Sequence, residues 1–511
     1  MLIVTADQMR ELDRRTIEAG TPGWTLMRRA GQGAARILLE ALPRRGRSRV
    51  VIVAGTGNNG GDGFVVAHEL RKKRVAVEIF LVGDEARVRG DAALALAAWR
   101  RARGKVVALR GTQDLERLSR SMTGATWVVD ALFGTGLSGN VRGLAAEIID
   151  LLNSSGLPVF AIDIPSGLDA DRGGVLGSAV RARMTATFAL PKIGQVIHPG
   201  VELCGPLHVV DIGISPEALV AVKPSTSLLD EATVAGWLPR RGASAHKGDA
   251  GHVLVVAGSR GKTGAAVLCA RAAGRGGAGL VTAAICASQQ PVVAAGLLEA
   301  MTAVLGDEGG EVDFDENALR ALAKGKSAIV CGPGLGTGPG AVALVDWLLA
   351  NCDRPLVFDA DALNCVAGRL PEGAFPRLVI TPHPGEMARL TGTTTREVQA
   401  NRVAVARDFA ERHGCTVVLK GARTIIANGA GRIAVNPTGN PGMASGGMGD
   451  VLGGLIGALL AQKMEPFEAA CAGVYLHGLA ADIAAAERGM VGLLAGDVVE
   501  MLPRARGGLG G

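Results

Sequence analysis

Residues 436–454 read NPTGNPGMASGGMGDVLGG, and the residue types here point to phosphate chemistry. Glycines crowd the positions before an apolar run, 451–460, that reads as a helix, and one carboxylate, Asp450, stands where that helix begins. Glycine lets successive backbone N–H groups converge on one point, and a helix N-terminus adds partial positive charge there, so the place suits an anion, most often phosphate. A carboxylate beside a phosphate is repelled unless it has work to do, and the usual work is taking a proton from a hydroxyl that attacks phosphorus. The plainer alternative is a glycine-rich loop ended by a helix-starting aspartate.

A second constellation lies early in the chain. Residues 49–54 read as a strand and run into GTGNNGGDG, residues 55–63, in which Gly55, Gly57 and Gly60 satisfy G-x-G-x-x-G. Glu78 lies near where a ribose-binding acid would fall, so a nicotinamide dehydrogenase has to be weighed. Against it stand Asn58, Asn59 and Asp62, which hydride transfer does not require but a bound cation or sugar hydroxyl would. Strand 126–130 closes on Asp130 before ALFGTGLSGN, and strand 159–163 closes on Asp163 before IPSGLDA. Ligands in open parallel sheets bind beyond the carboxyl ends of strands, so Asn59, Asp130 and Asp163 are expected to face one crevice, although any one such aspartate could simply cap a helix.

Further polar positions recur at strand ends in the second half: CGPGLGTG at 331–338, Asp359 and Asp361 in VFDADALN, His383 and Glu386 in TPHPGE, and Lys420 in LKGART. His383 alone reads as a turn histidine constrained by prolines, and Lys420 alone as a strand-end lysine. SRGKTG, residues 259–264, is not a Walker A loop, because Gly258 and Gly261 enclose two residues rather than four. Lys262 is therefore expected to be a solvated loop lysine.

The elements that must position these residues alternate in strand and helix. Strands are expected at 49–54, 75–81, 126–130 and 159–163, then at 251–257, 280–285, 327–331, 355–359, 377–381, 416–420, 424–427 and 432–435, with helices between, including 63–73, 144–154, 264–276 and 401–412. The Pro- and Ser-containing stretch 215–227 breaks the rhythm and divides the chain into a first domain of residues 1–220 and a second of 221–511. The fold class is α/β twice over: two different parallel-sheet domains without shared motifs.

Composition agrees. The 511 residues exceed one ordinary core, 48% are hydrophobic, and only 3% are aromatic, so small side chains allow helices to lie close to a sheet. The net charge of +6 comes largely from residues 28–49 and 71–74, which read as solvated helix faces rather than a nucleic-acid surface, since no stacking aromatics interleave. No run is read as long enough to span a bilayer and no signal peptide is read at the start, so no membrane partner is expected. The eight cysteines contain no C-x-x-C pair and fit reduced thiols in a cytoplasmic protein.

GTGNNGGDG, DALFGTGL and DIPSGLDA together resemble the epimerase domain of the NAD(P)H-hydrate repair family over roughly residues 1–215, a Rossmann-like three-layer fold. The resemblance implies that Asn58, Asn59, Gly60, Gly61 and Asp62 hold the substrate's phosphate and that Gly134, Thr135, Gly136, Leu137, Ser138, Gly139 and Asn140 line the same pocket. It implies a K+ ion at Asn59, Asp130 and Ser166, and Asp163 as the acid that contacts the hydrated nicotinamide and shuttles a proton while C6 inverts. The order of motifs over roughly 228–505 is similar to the ribokinase-like superfamily, and GNPGMASGGMGD in particular to its ADP-dependent NAD(P)H-hydrate dehydratases. That likeness implies adenine-nucleotide contacts at Lys420, Gly421, Ala422, Arg423, Thr424 and Gly449, and contacts to hydrated NADH or NADPH at Ala265, Gly336, His383 and Asp450, with Asp450 as the base, ADP as co-substrate and Mg2+ on the phosphates. It also implies a homo-oligomer. Two other readings stay open from sequence: a ribokinase-superfamily kinase for a vitamin or thiazole alcohol, and a first domain that binds without catalysing.

Overall fold

The computed structural model describes residues 1–43 and 48–510; positions 44–47, part of the basic stretch 28–49, and Gly511 lie outside the described residues. The chain divides into two bodies, Leu2–Pro224 and Ser225–Gly511.

The first body holds β1 (Leu2–Ile3), β2 (Arg49–Ala54), β3 (Ala76–Val82), β4 (Val106–Leu109), β5 (Trp127–Ala131), β6 (Val159–Ile162), β7 (Met184–Phe188) and β8 (Leu207–Val210). Seven of these form a parallel sheet in the order β4-β3-β2-β5-β6-β7-β8. Residues Val50–Ala54 of β2 are fully buried, as expected of an inner strand covered by helices on both faces. The strand order reverses between β2 and β5, which opens a crevice beyond their carboxyl ends.

Two features differ from the sequence reading. The helix after β2 begins at Asn58, not Gly63, with Gly57 as its N-cap. Glycines normally weaken a helix, but here they are needed for close approach. A Cβ on Gly60 would lie 1.9 Å from the Gly55 carbonyl oxygen, and one on Gly55 would lie 2.1 Å from that of Leu132. Segment 215–227 is also more regular than expected: Ser215 caps a helix, Pro216–Val222, and Thr226–Leu228 forms β9.

The second body continues with β10 (His252–Val256), β11 (Leu280–Cys286), β12 (Met301–Glu308), β13 (Glu311–Asp313), β14 (Ala328–Cys331), β15 (Leu356–Phe358), β16 (Leu378–Ile380), β17 (Thr416–Leu419), β18 (Ile425–Asn428) and β19 (Ile433–Val435). The order is β9-β19-β18-β17-β16-β15-β14-β10-β11-β12-β13. Strands β10, β11, β12, β14, β15, β16 and β17 are parallel, whereas β18 runs antiparallel to both its neighbours and β13 folds back on β12. Across the sheet lies the helix Met448–Ala461, in which Gly454 and Gly457 allow contact: a Cβ would lie 2.1 Å from the Cys269 carbonyl oxygen and 2.3 Å from Val330 Cγ2, respectively.

The helix Pro466–Arg488 corrects the reading that no run could span a bilayer. By length and composition it could, with a mean hydropathy of 1.4 over its apolar window, but 72% of that window is buried inside the domain. Its apolarity comes largely from alanines, most of them packed on the core.

Candidate functional site

The first site is a cavity of about 670 Å³ at the crevice of the seven-stranded sheet, a size suited to a small-molecule ligand. Asn58, Asn59 and Asp62, from the first turns of the helix Asn58–Lys72, reach its wall together with Gly134, Thr135, Gly136, Leu137, Ser138 and Asp163. Gly60 and Gly61 sit behind the wall, Gly61 against Met27. Gly139 and Asn140 are not brought to it. Glu78 lies within β3 and pairs with Arg49 Nη2 at 3.0 Å, away from the cavity, so it is no ribose ligand here.

Asp163 follows β6 with φ 63°, a strained backbone for a residue with a Cβ. Its Oδ1 accepts from Lys192 Nζ at 2.5 Å and from the Phe188 N–H at 3.3 Å, and Gln195 Nε2 donates to its carbonyl oxygen at 2.7 Å. Lys192 is fully buried and also donates to Thr187 Oγ1 and to the Phe188 carbonyl. Asp62 is wholly buried, and burial, reinforced by the charges of Asp163 and Asp13, pushes its carboxyl well above the ordinary range.

Behind the wall, Asp130 closes β5 with no exposure. Its Oδ2 accepts from the Ser166 N–H at 2.8 Å, and its Oδ1 from Ser166 Oγ at 2.6 Å and the Leu132 N–H at 3.2 Å. Burial pushes this carboxyl up to about 6, against the pull of those hydrogen bonds. Asn59, also buried, has both amide atoms without a partner among the described residues.

The second site forms beyond the carboxyl ends of β10, β14, β15, β16 and β17. Lys420 follows β17 and donates to Asp359 Oδ1 at 2.6 Å, with Glu386 Oε2 3.8 Å away. Burial opposes the lysine's charge, but the two carboxylates outweigh it and hold Lys420 above its usual value. Gly449 lies against this pair: a Cβ there would be 3.1 Å from Asp359 Oδ2 and 3.2 Å from Lys420 Nζ. Asp450 is next, in the first turn of the helix Met448–Ala461, whose N-cap Gly447 (φ 89°) has no side chain to occupy the free N–H groups. Burial, then the negative charge of Asp359, pushes Asp450 up to about 6, against the pull of Lys420.

Asp361 faces a different cluster. Its Oδ2 accepts from the Gly336 N–H at 2.9 Å and from Lys262 Nζ at 3.1 Å. Ala360, between the two acids, has φ 49° and ψ −115°, so a strained residue lies here as at Asp163. Lys262 is thus solvent-exposed, as expected, and also pairs with Asp361. Its Cβ and that of Ala265 would lie 2.9 and 3.1 Å from a Cβ on Gly334, so no larger residue fits in the 331–338 turn there. His383 is a helix cap, with Nδ1 accepting from the Gly385 and Glu386 N–H groups at 3.0 and 3.2 Å. Gly421, Ala422, Arg423 and Thr424 form the turn between β17 and β18; Thr424 Oγ1 donates to the Gly421 carbonyl, and Gly421 has φ 142°.

Comparison with known proteins fits this two-site architecture. The model of the YjeF-related protein N-terminus matches residues 24–194, and that of NAD(P)H-hydrate dehydratase matches residues 253–504. A bifunctional NAD(P)H-hydrate repair enzyme of Moorella thermoacetica is 44% identical over 98% of this chain and 96% of its own length. The chain belongs to the bifunctional NAD(P)H-hydrate repair enzymes. It is an isomerase and a lyase in one polypeptide, and the dehydrogenase, kinase and non-catalytic readings give way. The solved structure of a ribokinase-like superfamily protein from Enterococcus faecalis, 29% identical, covers 56% of this chain and 96% of that one with a TM-score of 0.50, in keeping with the mixed sheet of the second body. An ADP/ATP-dependent NAD(P)H-hydrate dehydratase from Bacillus subtilis, co-crystallised with ATP and Mg2+, is 32% identical, covering 55% of this chain and 98% of that one with a TM-score of 0.48.

Within this repair enzyme the sequence reading missed three positioning groups. Lys192 was hidden because a lone lysine after a strand looks solvated. Arg402, 7% exposed, braces the 420–424 turn by donating to the carbonyls of Leu419, Lys420 and Ala422, and burial pushes it down to about 10. His477, buried on the helix Pro466–Arg488, has Nε2 without a partner among the described residues; burial and the nearby Lys420 push it down to about 4, so the ring is neutral.

Proposed function

We propose that the first domain interconverts the R and S epimers of hydrated NADH and NADPH through Asp163, and that the second dehydrates the S epimer with ADP through Asp450. The observation that carries the reading is the convergence of Asp450, Gly449, Lys420 and Asp359 at one set of strand ends, with the uncapped amides of a long helix beside them.

Hydroxide is a poor leaving group from C6 of the hydrated ring. Asp450 takes the C6 hydroxyl proton as that oxygen attacks the terminal phosphorus of ADP; the new O–P bond forms and AMP leaves. The free N–H groups at the start of the helix Met448–Ala461 and the Lys420 ammonium balance charge on the transferring phosphoryl group. Phosphate then departs with the C6–O electron pair, the ring nitrogen's lone pair fills the gap, and loss of a C5 proton restores NADH or NADPH. A base of this kind is worth roughly 10²–10⁴ in rate. A carboxyl raised to about 6 is still ionised at neutral pH and is a better proton acceptor than an ordinary aspartate.

In the first domain, Asn59, Asp130 and Ser166 suit K+: the amide oxygen of Asn59 has no hydrogen-bond partner among the described residues and the Asp130 carboxyl is wholly buried. There K+ would supply fixed positive charge that steadies Asp130 and the turn after β5. In the second domain no trio of metal-ligating side chains occurs among the described residues, which suits Mg2+ carried on the phosphates with its own waters. A homo-oligomer follows from the family likeness alone. The eight free cysteines, seven of them buried, accord with a cytoplasmic setting.

Incubation of the S epimer with ADP should yield AMP, phosphate and reduced nicotinamide in equal amounts. A stable phosphorylated product without reduced nicotinamide would overturn the proposal in favour of a kinase.

A further inference from the structure

Inversion at C6 by loss and return of water calls for proton transfer on two faces of the ring. The carbon carries both the ring nitrogen and the hydroxyl. If the hydroxyl leaves from one face and water returns to the other, a proton must be given on the first face and taken on the second. The cavity of the first domain contains a second carboxyl suited to this. Asp13 lies on the helix Ala6–Glu18, which precedes the residues matched by the family model, and lines the same cavity as Asp163 and Lys192. Its Oδ1 is buried with no hydrogen-bond partner among the described residues, whereas Asp163 is committed to Lys192.

We propose that Asp13 is the second proton-carrying group of the epimerase, working opposite Asp163. This rests on the reading of Asp163 given above. In one direction Asp13 donates its proton to the C6 hydroxyl. The C6–O bond breaks, water leaves, and the nitrogen lone pair forms the C6–N double bond of an iminium ion. A water on the opposite face adds to C6, the double-bond pair returns to nitrogen, and Asp163 takes the water's proton. In the other direction the roles exchange, so the two carboxyls share one proton throughout. The ion pair with Lys192 fits Asp163 for the ionised role.

The surroundings fit Asp13 for the protonated role. Burial, with the Asp163 charge adding to it and Lys192 opposing, pushes Asp13 up to about 6. The other charged groups of the wall are Arg10 on the same helix, Asp62 on the helix Asn58–Lys72 and Asp91 on the helix Gly90–Arg101. Glu217, on the helix Pro216–Val222 packed against the Asp13 helix, is exposed. Burial, with the Asp163 and Asp13 charges adding to it, raises the Asp62 carboxyl as well.

The test compares Asp13→Asn and Asp163→Asn in the full-length chain, with dehydration of the S epimer as a control for folding. In the parent enzyme, kcat/KM for epimerisation should fall as pH rises through about 6, because the shared proton is then lost. Asp13→Asn should lower epimerisation by at least about 10²-fold and abolish that limb, while dehydration is unchanged. Asp13→Glu should restore part of the rate with the limb displaced. An Asp13→Asn enzyme with near-parental epimerisation and an intact limb, alongside an inactive Asp163→Asn enzyme, overturns the role of Asp13 alone. Near-parental epimerisation by Asp163→Asn overturns the reading beneath it. Should Asp13→Asn unfold the domain, Asp13→Glu decides: a displaced limb supports the proposal and an undisplaced one refutes it.

Discussion

Replacing Asp450 by asparagine should make the second domain more stable while removing its activity. Folding raises this carboxyl from 3.8 to about 6, chiefly by burial and then by the charge of Asp359. Below pH 3.8 the group is neutral in both states and costs nothing; between 3.8 and 6 the unfolded chain ionises while the folded one resists; above 6 the cost is complete. Roughly two pH units at 1.36 kcal/mol each sets a ceiling of about 3 kcal/mol. That shift is already net of the pull of Lys420, so the expected gain is about 1–3 kcal/mol, or ~2–5 °C in Tm for a domain of this size. Calorimetry of the second-domain transition at pH 7.5 and at pH 4 measures it. The gain should be present at the higher pH and nearly gone at the lower, with dehydration down by at least ~10². A variant less stable than the parent at pH 7.5, or equally stabilised at both pH values, would falsify the electrostatic argument; retained dehydration would remove Asp450 from the chemistry.

Three other expectations come from the geometry. Lys192→Met leaves Asp163 buried without its counter-charge and should destabilise the first domain by about 3–5 kcal/mol, seen in denaturant titration; a loss below about 1 kcal/mol would show the pair is not desolvated. Gly449→Ala puts a methyl group 3.1 Å from Asp359 Oδ2 and 3.2 Å from Lys420 Nζ, and should raise KM for ADP about tenfold with little change in epimerisation; an unchanged KM would place the nucleotide elsewhere. Exchange of K+ for Na+ should slow epimerisation but not dehydration, and Asn59→Ala should lose that sensitivity; an ion-independent parent enzyme would contradict the proposed site.

Much of this arrangement was legible because strand ends carry the function and strands announce themselves. Strand β2 and the helix Leu144–Ser154 fall where their sequences put them, and Asp130, Asp163 and Asp359 lie at the carboxyl ends of strands, as read. The strands β4, β7 and β8, and the hairpin of β12 and β13, went unread: β4 and β7 are only four and five residues long, and β12 ends in charges. The start of the helix at Asn58 was obscured because the five glycines of residues 55–63 signal a loop locally, while close contacts at Gly55 and Gly60 require glycine in a tightly packed turn. Lys192, Lys262, Arg402 and Asp13 share another difficulty. A single charged residue reads as solvated unless its surroundings are known: the partners of Lys192, Lys262 and Arg402 lie 29, 99 and 17–20 positions away, and Asp13 faces a cavity lined from several elements. The division between the bodies at Pro224 falls a few residues beyond the expected 220, since the helix Pro216–Val222 belongs with the first sheet.

The most direct test gives the enzyme an equal mixture of both hydrate epimers with excess ADP and follows the absorbance of reduced nicotinamide to completion, for the parent and for Asp163→Asn and Asp450→Asn. The account predicts rapid full recovery by the parent, a rapid half followed only by the slow spontaneous phase in Asp163→Asn, and no recovery in Asp450→Asn. Full rapid recovery by either variant would contradict a division of labour between two carboxylates on two sheets.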